Sequence, residues 1–374
     1  MYLTIRIIAG LGVFGVSPRH YGPYLIWTVP WLLWLISVSI EVQSLSEILL
    51  IQLRRLGILI YYTASSSLLF YFGFELAGFP LLLAIITGGR QPQKLEAFKT
   101  MLFYIAILAL PLLLILLTRE YRALSLISLS TAWIIFPFLA KTPAYVLHAW
   151  LPKAHVEAST VGSMILAGSV IKLGAYGVVL SSGSLYHIQT LRSVLMASGV
   201  CLVGLCLMRN PDAKRLVAYS RVLHIAVGII SWSSGSMRGI YAMIGANISH
   251  TLLSPLIFYS VSFFYHTLTS RDRLVFRGWL RRSLISLLIL FVFLVNAGIP
   301  PWLLSASEIW MVYGVRHSIY STFIVAVGIF FSGLWTLLIS GDQRRQYRSF
   351  STVRYITPII TRVSLCTVFP FLLI

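Results

Sequence analysis

The chain has 374 residues, of which 58% are hydrophobic and only 10% are charged. Water-soluble domains, fibrous repeats and disordered tails carry more charge than this, so the composition excludes all three. The charge that is present is lopsided, with 29 Lys and Arg against 10 Asp and Glu and a net charge of +19. Such basic chains often bind nucleic acid, but the hydrophobic content instead indicates an all-α polytopic membrane protein without a nucleic-acid partner.

Apolar runs long enough to cross a bilayer, which takes about 20 residues, follow one another along most of the chain. We predict about thirteen transmembrane helices, within a range of 12–14. They cover 2–17, 24–40, 45–62, 65–87, 100–117, 122–158, 160–180, 188–208, 216–232, 237–266, 279–313, 318–340 and 355–374. The first is weak because it is short, and 45–62 is weak because it carries Arg54 and Arg55.

Two predicted spans, 122–158 and 279–313, are too long for one straight helix. Each holds about 35 residues, which at about 1.5 Å per residue exceeds a hydrocarbon core of about 30 Å. Each also contains helix-breaking residues, Pro143 in the first span and Gly298 with Pro300 in the second. We therefore predict two broken helices, whose freed backbone groups must be satisfied by protein or trapped water.

The two broken spans are the sixth and the eleventh in chain order, so they cross the membrane in opposite directions. This offset is typical of the inverted five-helix repeats of transporters, although two unrelated kinked helices would give the same pattern. The predicted organisation is N-terminal transmembrane helices at 1–44, a first five-helix repeat at 45–180, a second inverted repeat at 188–340, and a loop with the C-terminal transmembrane helix at 341–374.

The basic residues indicate the orientation of the chain in the membrane. The loops at 88–99, 209–215, 267–282 and 341–354 hold 15 basic residues, whereas the intervening loops hold 5. Thirteen spans place all four rich loops on one face, which the positive-inside rule assigns to the inside. The N-terminus is then predicted inside and the C-terminus outside, and the basic face can meet anionic lipid.

Four charged residues are predicted to lie at membrane depth, where charge is costly and usually functional. Glu75 and Lys172 fall near the middle of their spans. Lys141 comes just before the first helix break, and Glu308 follows the second.

Four histidines accompany these charges. His224 and His250 lie within single spans, and His148 and His155 flank the first break at a seven-residue spacing that predicts one helix face. The unperturbed imidazole exchanges protons near neutral pH, so each of the four is a possible relay.

Together these residues predict a chain of exchangeable protons. Glu75 and Lys141 would form a switching pair, because a Lys beside a Glu is held charged and can release its proton when the Glu moves or is protonated. Lys172 and His250 would be central relays, and Glu308 would exchange protons with the far side. The alternative is a set of static buried ion pairs that fix helix registry.

Other polar residues favour structural roles. The long side chain of Arg221 is expected to reach the inner membrane interface, and Tyr61 and Tyr62 are expected to anchor an interface. The three cysteines lack the spacing of an iron–sulfur or zinc site, and no glycine-rich nucleotide loop occurs. We therefore expect no cofactor in this chain itself.

The segment 141–158, KTPAYVLHAWLPKAHVEA, resembles the KxPxxxxHxWLPxAHxxAP signature of the antiporter-like subunits of respiratory complex I. Further matches follow in order from about residue 65 to 313, namely Phe74-Glu75, Gly162 to Met164, Ile171 to Gly177, Asp212 to Ser220, His224 and Ser249-His250. Glu rather than Lys in the second broken helix marks one of these subunits, and Glu308 matches it. The chain departs from the pattern in a shorter N-terminal part, in Arg221 for a small polar residue, in Ser307 for Gly and in Ser159 for Pro.

The resemblance implies proton translocation across the mitochondrial inner membrane as part of a proton-translocating NADH:ubiquinone reductase. It implies proton-carrying roles for Glu75, Lys141, Lys172, His250 and Glu308. It also implies that NAD, FMN, iron–sulfur clusters and ubiquinone bind elsewhere in the complex, and that the partners are other membrane-arm subunits and lipids such as cardiolipin. A subunit of a cation/proton antiporter shares the signature, and a purely scaffolding subunit is a third alternative.

Overall fold

The computed structural model describes residues 45–88, 93–120, 135–180, 189–268, 272 and 284–340. The described residues form helices and their connections. The helices are α1 (Leu45–Thr63), α2 (Ser67–Gly88), α3 (Lys94–Ile105), α4 (Leu110–Glu120), α5 (135–141), α6 (Trp150–Glu157), α7 (Thr160–Ile165), α8 (Ile171–Leu180), α9 (Gln189–Arg209), α10 (Ala213–Ser233), α11 (Met237–Leu268), α12 (Leu284–Asn296), α13 (Leu303–Gly314) and α14 (Ile319–Ser340). A 3₁₀ turn at Ile107–Ala109 connects α3 to α4.

Six helical stretches among the described residues are long and apolar enough to cross a membrane. They are Ser67–Gly88, Lys94–Leu117, Thr160–Val179, Ala213–Ser233, Arg238–His266 and Ile319–Thr336. This confirms a polytopic helical membrane protein. The predicted spans at 2–17, 24–40 and 355–374 lie outside the described residues, so the total of thirteen spans stays a prediction.

Helices α1 and α2 form a tight antiparallel pair because glycines face each other across it. A Cβ on Gly73 would lie 2.5 Å from the backbone nitrogen of Tyr61, and one on Gly57 would lie 2.5 Å from that of Ala77. The hydroxyl of Tyr61 donates a hydrogen bond of 2.8 Å to the carbonyl of Leu173 on α8. Tyr61 is therefore a buried connection between helices, and its expected place at a membrane interface is wrong.

Tyr62 is likewise buried, with 6% of its surface exposed. Its ring packs edge-to-face against Tyr176, at 5.0 Å between centroids. A tyrosine anchors a membrane interface when its ring lies at the edge of the helix bundle and its hydroxyl reaches water. The ring of Tyr62 lies inside the bundle, so its expected place at an interface is also wrong.

Helix α10 lies at the centre of the described structure and packs against α6, α9, α11, α13 and α14. It begins where Asp212 caps it, with the carboxylate accepting from the backbone nitrogen of Lys214 at 2.9 Å. Helix α11 lies beside it and packs against α7, α12 and α13 as well. These two helices thus connect the first broken region with the second.

Both predicted helix breaks are confirmed. Helix α5 ends at residue 141 and α6 begins at Trp150, whose indole donates a hydrogen bond of 2.9 Å to the carbonyl of Ala140. The second break separates α12 from α13, with Gly298 at a φ of +75°. Protein groups therefore satisfy freed backbone at the first break, as buried irregular backbone requires.

A third irregularity was not predicted from the sequence. Residues Leu166–Val170, between α7 and α8, form one wide π-helical turn, and all five residues are buried. A π turn shifts the backbone hydrogen bonds and is frequent at functional sites. Three buried cations, Arg54, Lys172 and Arg221, donate hydrogen bonds to residues of this turn.

The first testable prediction concerns the close contact of α1 and α2. Gly73→Ala is expected to lower the free energy of unfolding of the detergent-solubilised protein by about 1–3 kcal/mol, and with it the thermal denaturation midpoint. The reason is that the added methyl group meets backbone atoms of Tyr61, which cannot move aside. Gly333→Ala is the matched control, since a Cβ there has no atom within 4 Å. A thermal denaturation midpoint that is equal in both variants would contradict the packing described.

Candidate functional site

The first group of ionisable side chains joins α2 to the end of α5. The Lys141 ammonium lies 3.4 Å from Oε1 of Glu75 and donates a hydrogen bond of 2.6 Å to the carbonyl of Phe74. It also lies 3.2 Å from the centre of the Phe74 ring, a cation–π contact. The predicted pairing of Glu75 with Lys141 is therefore present in the structure.

Small residues on α2 make room for this lysine. A Cβ on Gly78 would lie 3.4 Å from the Lys141 nitrogen. The Lys141 side chain is 1% exposed, whereas 24% of the Glu75 side chain is exposed. The two partners thus differ in access, and the carboxylate is the one with room to move.

The second group surrounds the π turn at Leu166–Val170. Lys172 donates to the carbonyl of Ala167 at 3.1 Å, and Arg221 on α10 donates to the same oxygen at 2.9 Å. The two cationic nitrogens are therefore at most about 6 Å apart. Two unit charges at that distance repel by about 3 kcal/mol at an effective dielectric constant of about 20.

The third group joins α10, α11 and α13. The rings of His224 and His250 lie 4.6 Å apart between centroids, at 60° to each other. Nδ1 of His224 lies 3.6 Å from Oε1 of Glu308, an ion-pair distance just beyond hydrogen-bond reach. All three side chains are buried. The structure thus places His224, predicted only as a possible relay, between two predicted proton carriers, His250 and Glu308.

The second helix break makes space for Glu308. A Cβ on Gly298 would collide with the Glu308 carboxylate, and the positive φ of Gly298 is one that L side chains rarely adopt. Glycine is required here for both reasons. The irregular backbone therefore brings a carboxylate close to His224 inside the bundle.

His148 and His155 do not share one helix face, so that prediction is wrong. His148 precedes α6 in non-helical backbone, where its ring stacks on Tyr145 at 5.5 Å and approaches Tyr219 at 6.4 Å. His155 lies inside α6 and stacks on Phe258 of α11 at 4.2 Å. The seven-residue rule fails because the chain between them is not helical along its whole length.

Arg221 does not reach the inner interface, which corrects the expectation from its position in the span. Its side chain is 4% exposed, and its guanidinium lies 5.3 Å from the ring centre of Phe258. An arginine near a helix end can reach the interface only if its face of the helix is open. Helix α10 is enclosed by neighbours, so Arg221 stays inside.

Arg54 is a second buried arginine whose place the sequence did not predict. It is 2% exposed and donates a hydrogen bond to the hydroxyl of Ser169 in the π turn. It also lines a small, mainly apolar pocket between α1, α2 and α7. The sequence signal for this site is the presence of Arg54 and Arg55 in a mainly apolar span, which indicates a weak span and does not say which of the two is buried.

Buried positive charge exceeds buried negative charge in the described part of the chain. Five basic side chains are buried there, namely Arg54, Lys141, Lys172, Lys214 and Arg221, against the two acidic side chains Glu157 and Glu308. Backbone carbonyls accept from four of these cations, Arg54 excepted. An excess of this kind is not what static ion pairing alone would produce.

The described chain matches a known family over most of its length. The model for the family described as NADH:quinone oxidoreductase/Mrp antiporter, transmembrane, matches residues 64–334. The chain belongs to this family. All the proposed proton carriers fall within the matched residues.

Relatives of known name support the same placement. The chain is 32% identical over 314 residues to NADH-ubiquinone oxidoreductase chain 4 of Ascaris suum, covering 79% of this chain and 76% of the relative. It is 35% identical over 271 residues to the protein of the same name from Artemia franciscana, covering 68% of each. The family model covers the region that contains both breaks.

Among solved structures, a chain of respiratory complex I from Thermus thermophilus superposes with a TM-score of 0.77 at 18% identity. The superposition covers 94% of this chain and 84% of that chain. A chain of the Mrp complex from a Dietzia species gives a TM-score of 0.70 at 14% identity, covering 78% and 59%. At these identities the comparison establishes a shared fold.

The second testable prediction concerns the space beside Glu308. Gly298→Ala is expected to move the Glu308 carboxylate away from His224, because the added methyl group meets the carboxylate. It is also expected to lower the free energy of unfolding by about 1–2 kcal/mol, because alanine is strained in the left-handed backbone conformation. The structure of the variant and its thermal denaturation midpoint measure both effects.

Gly245→Ala is the control for this change. A Cβ on Gly245 meets only the Ser307 Cβ, at an ordinary 3.4 Å, and lies beside the same site. Two results together would contradict this description of the break. They are an unchanged distance from His224 to Glu308 in the Gly298→Ala protein, and equal stability of the Gly298→Ala and Gly245→Ala proteins.

Proposed function

We propose that the chain is a proton-translocating membrane-arm subunit of NADH:ubiquinone oxidoreductase, the counterpart of chain 4 in its relatives. It moves protons across the mitochondrial inner membrane, and NADH oxidation and quinone reduction elsewhere in the complex supply the energy. NAD, FMN, iron–sulfur clusters and ubiquinone belong to other subunits in this proposal. The family match and the names of the relatives support it.

The observation that carries the proposal is the series of buried exchangeable groups across the two broken regions. Glu75 pairs with Lys141, Lys172 lies on the π turn, and His224 and Glu308 form the last group with His250. Several of their polar atoms have no hydrogen-bond partner among the described residues, including both ring nitrogens of His250. Buried polar atoms of this kind are commonly satisfied by internal water, which is what a proton path needs.

The proposed cycle begins at the Glu75–Lys141 pair. The Glu75 carboxylate keeps Lys141 protonated while the two side chains are close. When Glu75 moves or takes up a proton, the uncompensated Lys141 charge is unfavourable in its buried surroundings and the proton leaves. Lys172 receives it as the next group, and the partly exposed position of Glu75 gives the switch room to operate.

The second half of the cycle runs through the histidine cluster. His250 and His224 relay the proton, because their rings are in contact and His224 faces Glu308. Glu308 then releases the proton on the far side. His148 and His155 stack on aromatic rings outside this series, so the main path in this proposal omits them.

The organisation of the chain is part of the same proposal. Residues 45–180 and 188–340 would be the two inverted repeats, each with one broken helix that carries an ionisable residue, Lys141 or Glu308. Residues 1–44 and 341–374 would supply the flanking helices, with the N-terminus on the matrix side and the C-terminus on the intermembrane-space side. Neighbouring antiporter-like subunits and anionic lipid such as cardiolipin would contact the outer faces, where apolar side chains are exposed on α1 and α14.

A subunit of a multi-subunit cation/proton antiporter is the second candidate. The family description covers both classes, and the Mrp structure shares the fold. Purification of the chain with its native partners separates the two. A large complex with flavin and iron–sulfur clusters supports the first function, and a small exchanger without them supports the second.

The third testable prediction concerns the central relay. Lys172→Ala in the assembled complex is expected to lower the number of protons moved per NADH oxidised several-fold, because it removes the buried amine that carries the proton between Lys141 and the histidine cluster in this proposal. The control is Lys153→Ala, since Lys153 is 47% exposed and pairs with Glu96 at the surface. Wild-type pumping by an assembled Lys172→Ala complex would contradict the role of Lys172.

The fourth testable prediction concerns the switch. Glu75→Gln keeps the shape of the side chain but removes the charge that holds Lys141, so proton pumping is expected to fall several-fold while assembly is retained. Proton uptake and NADH oxidation are measured together in sealed vesicles.

Glu96→Gln is the matched control, because Glu96 has the same charge and lies exposed at 59% on α3. It is expected to pump at the wild-type level. Full pumping by the Glu75→Gln complex would exclude the proposed switch, and an equal loss in both variants would point to assembly instead.

A further inference from the structure

Arg221 lies in the middle of the proposed proton path although no proton carrier is expected there. Its guanidinium is buried in α10, where it donates a hydrogen bond of 2.9 Å to the carbonyl of Ala167. Its Nε and Nη2 atoms have no hydrogen-bond partner among the described residues.

The position of Arg221 connects the two halves of the path. It shares the Ala167 oxygen with Lys172. On α10 it precedes His224 by three residues, which places both on one helix face. Arg221 therefore lies beside Lys172 and on the helix face that carries His224, between the two halves of the proposed path.

The charge of Arg221 is not neutralised by a carboxylate nearby. Within the described ranges, no carboxylate oxygen lies within 4.0 Å of the Arg221 nitrogens. The face of the Phe258 ring is the other group that stabilises it. A guanidinium stays protonated under all physiological conditions, unlike a lysine or a histidine. Arg221 is thus a permanent positive charge inside the membrane.

A permanent positive charge raises the energy of any second positive charge beside it. A protonated Lys172, a protonated His224 or a hydronium ion between them each meets this repulsion. Fixed arginines exclude protons from membrane pores in the same way. Such a charge has little effect when a negative charge is exposed nearby at the same moment, because the two fields then cancel.

We propose that Arg221 is an electrostatic barrier between Lys172 and the His224–His250–Glu308 cluster, which blocks passive return of protons through the complex at rest. It is a positioning residue that carries no proton itself. A proton crosses this point only when the Glu75–Lys141 switch or an ionised Glu308 supplies compensating negative charge. The proposal rests on the proposed function, since it assigns a barrier to that path.

The test measures passive proton entry in liposomes that contain the intact complex, under an imposed membrane potential and without NADH or quinone. Arg221→Gln removes the charge and keeps an amide that can donate to Ala167. Arg221→Lys keeps the charge. We expect several-fold faster proton entry with Arg221→Gln and near wild-type entry with Arg221→Lys, while the NADH oxidation rate is retained in both.

Two further variants make the test specific. Arg238→Gln is the matched control, because Arg238 is exposed at the start of α11 and should not change the leak. Lys172→Ala in the Arg221→Gln background is expected to abolish the extra leak, which assigns it to this path. Equal proton entry in Arg221→Gln and wild type would overturn the proposal, as would equal entry in Arg221→Gln and Arg221→Lys.

Assembly is checked by native gel electrophoresis. If the Gln variant does not assemble, Arg221→Ser, which removes the charge with a smaller side chain, replaces it in the same assay. Failure of both neutral variants to assemble, with assembly of Arg221→Lys, would assign the charge to folding and overturn the barrier. Failure of the proposed function has a different signature, namely wild-type pumping by Lys172→Ala, so the two results are distinguishable.

Discussion

The rest of the structure depends on one constraint: the low-dielectric interior of the helix bundle holds more positive than negative charge among the described residues. Burying an unpaired cation is costly, and this bundle has few carboxylates with which to pair its lysines and arginines. Backbone carbonyls accept from the cations instead. Phe74 supplies one such oxygen to Lys141, and Ala167 supplies one to both Lys172 and Arg221. A carbonyl stabilises a cation only partly, so the two lysines stay ready to lose a proton when a neighbouring charge changes, whereas the guanidinium of Arg221 keeps its charge.

Helix irregularities provide the geometry for this arrangement. A regular helix hydrogen-bonds its own carbonyls internally, and the π turn at Leu166–Val170 changes that pattern beside two cations. The break near Lys141 ends a helix at the lysine itself, and the break at Gly298 makes space for Glu308. The three irregularities are therefore where the fold and the proposed chemistry meet. The regular helix is interrupted at each place where these ionisable groups are held inside the membrane, and such interruptions are tolerated because they are buried in protein.

Much of this was predictable from sequence, and the rest depended on tertiary packing. Length and proline placement predicted both breaks, and two opposite charges at membrane depth predicted the pairing of Lys141 with Glu75. The π turn was not predictable, because its residues Leu166–Val170 have an ordinary helical composition. The inward position of Arg221 was missed because span position alone does not say which helix faces are enclosed. The separation of His148 from His155 was missed because periodicity applies only where the backbone is helical.

One hydrated series of groups is proposed to connect the two broken regions. A high-resolution map of the assembled complex that locates ordered water between Lys141, Lys172, His250 and Glu308 is the decisive measurement. We expect waters at hydrogen-bond spacing, about 2.7–3.2 Å, that connect these side chains through the region around Arg221. A dry, close-packed apolar layer between Lys172 and His250 in every state of the catalytic cycle would contradict it.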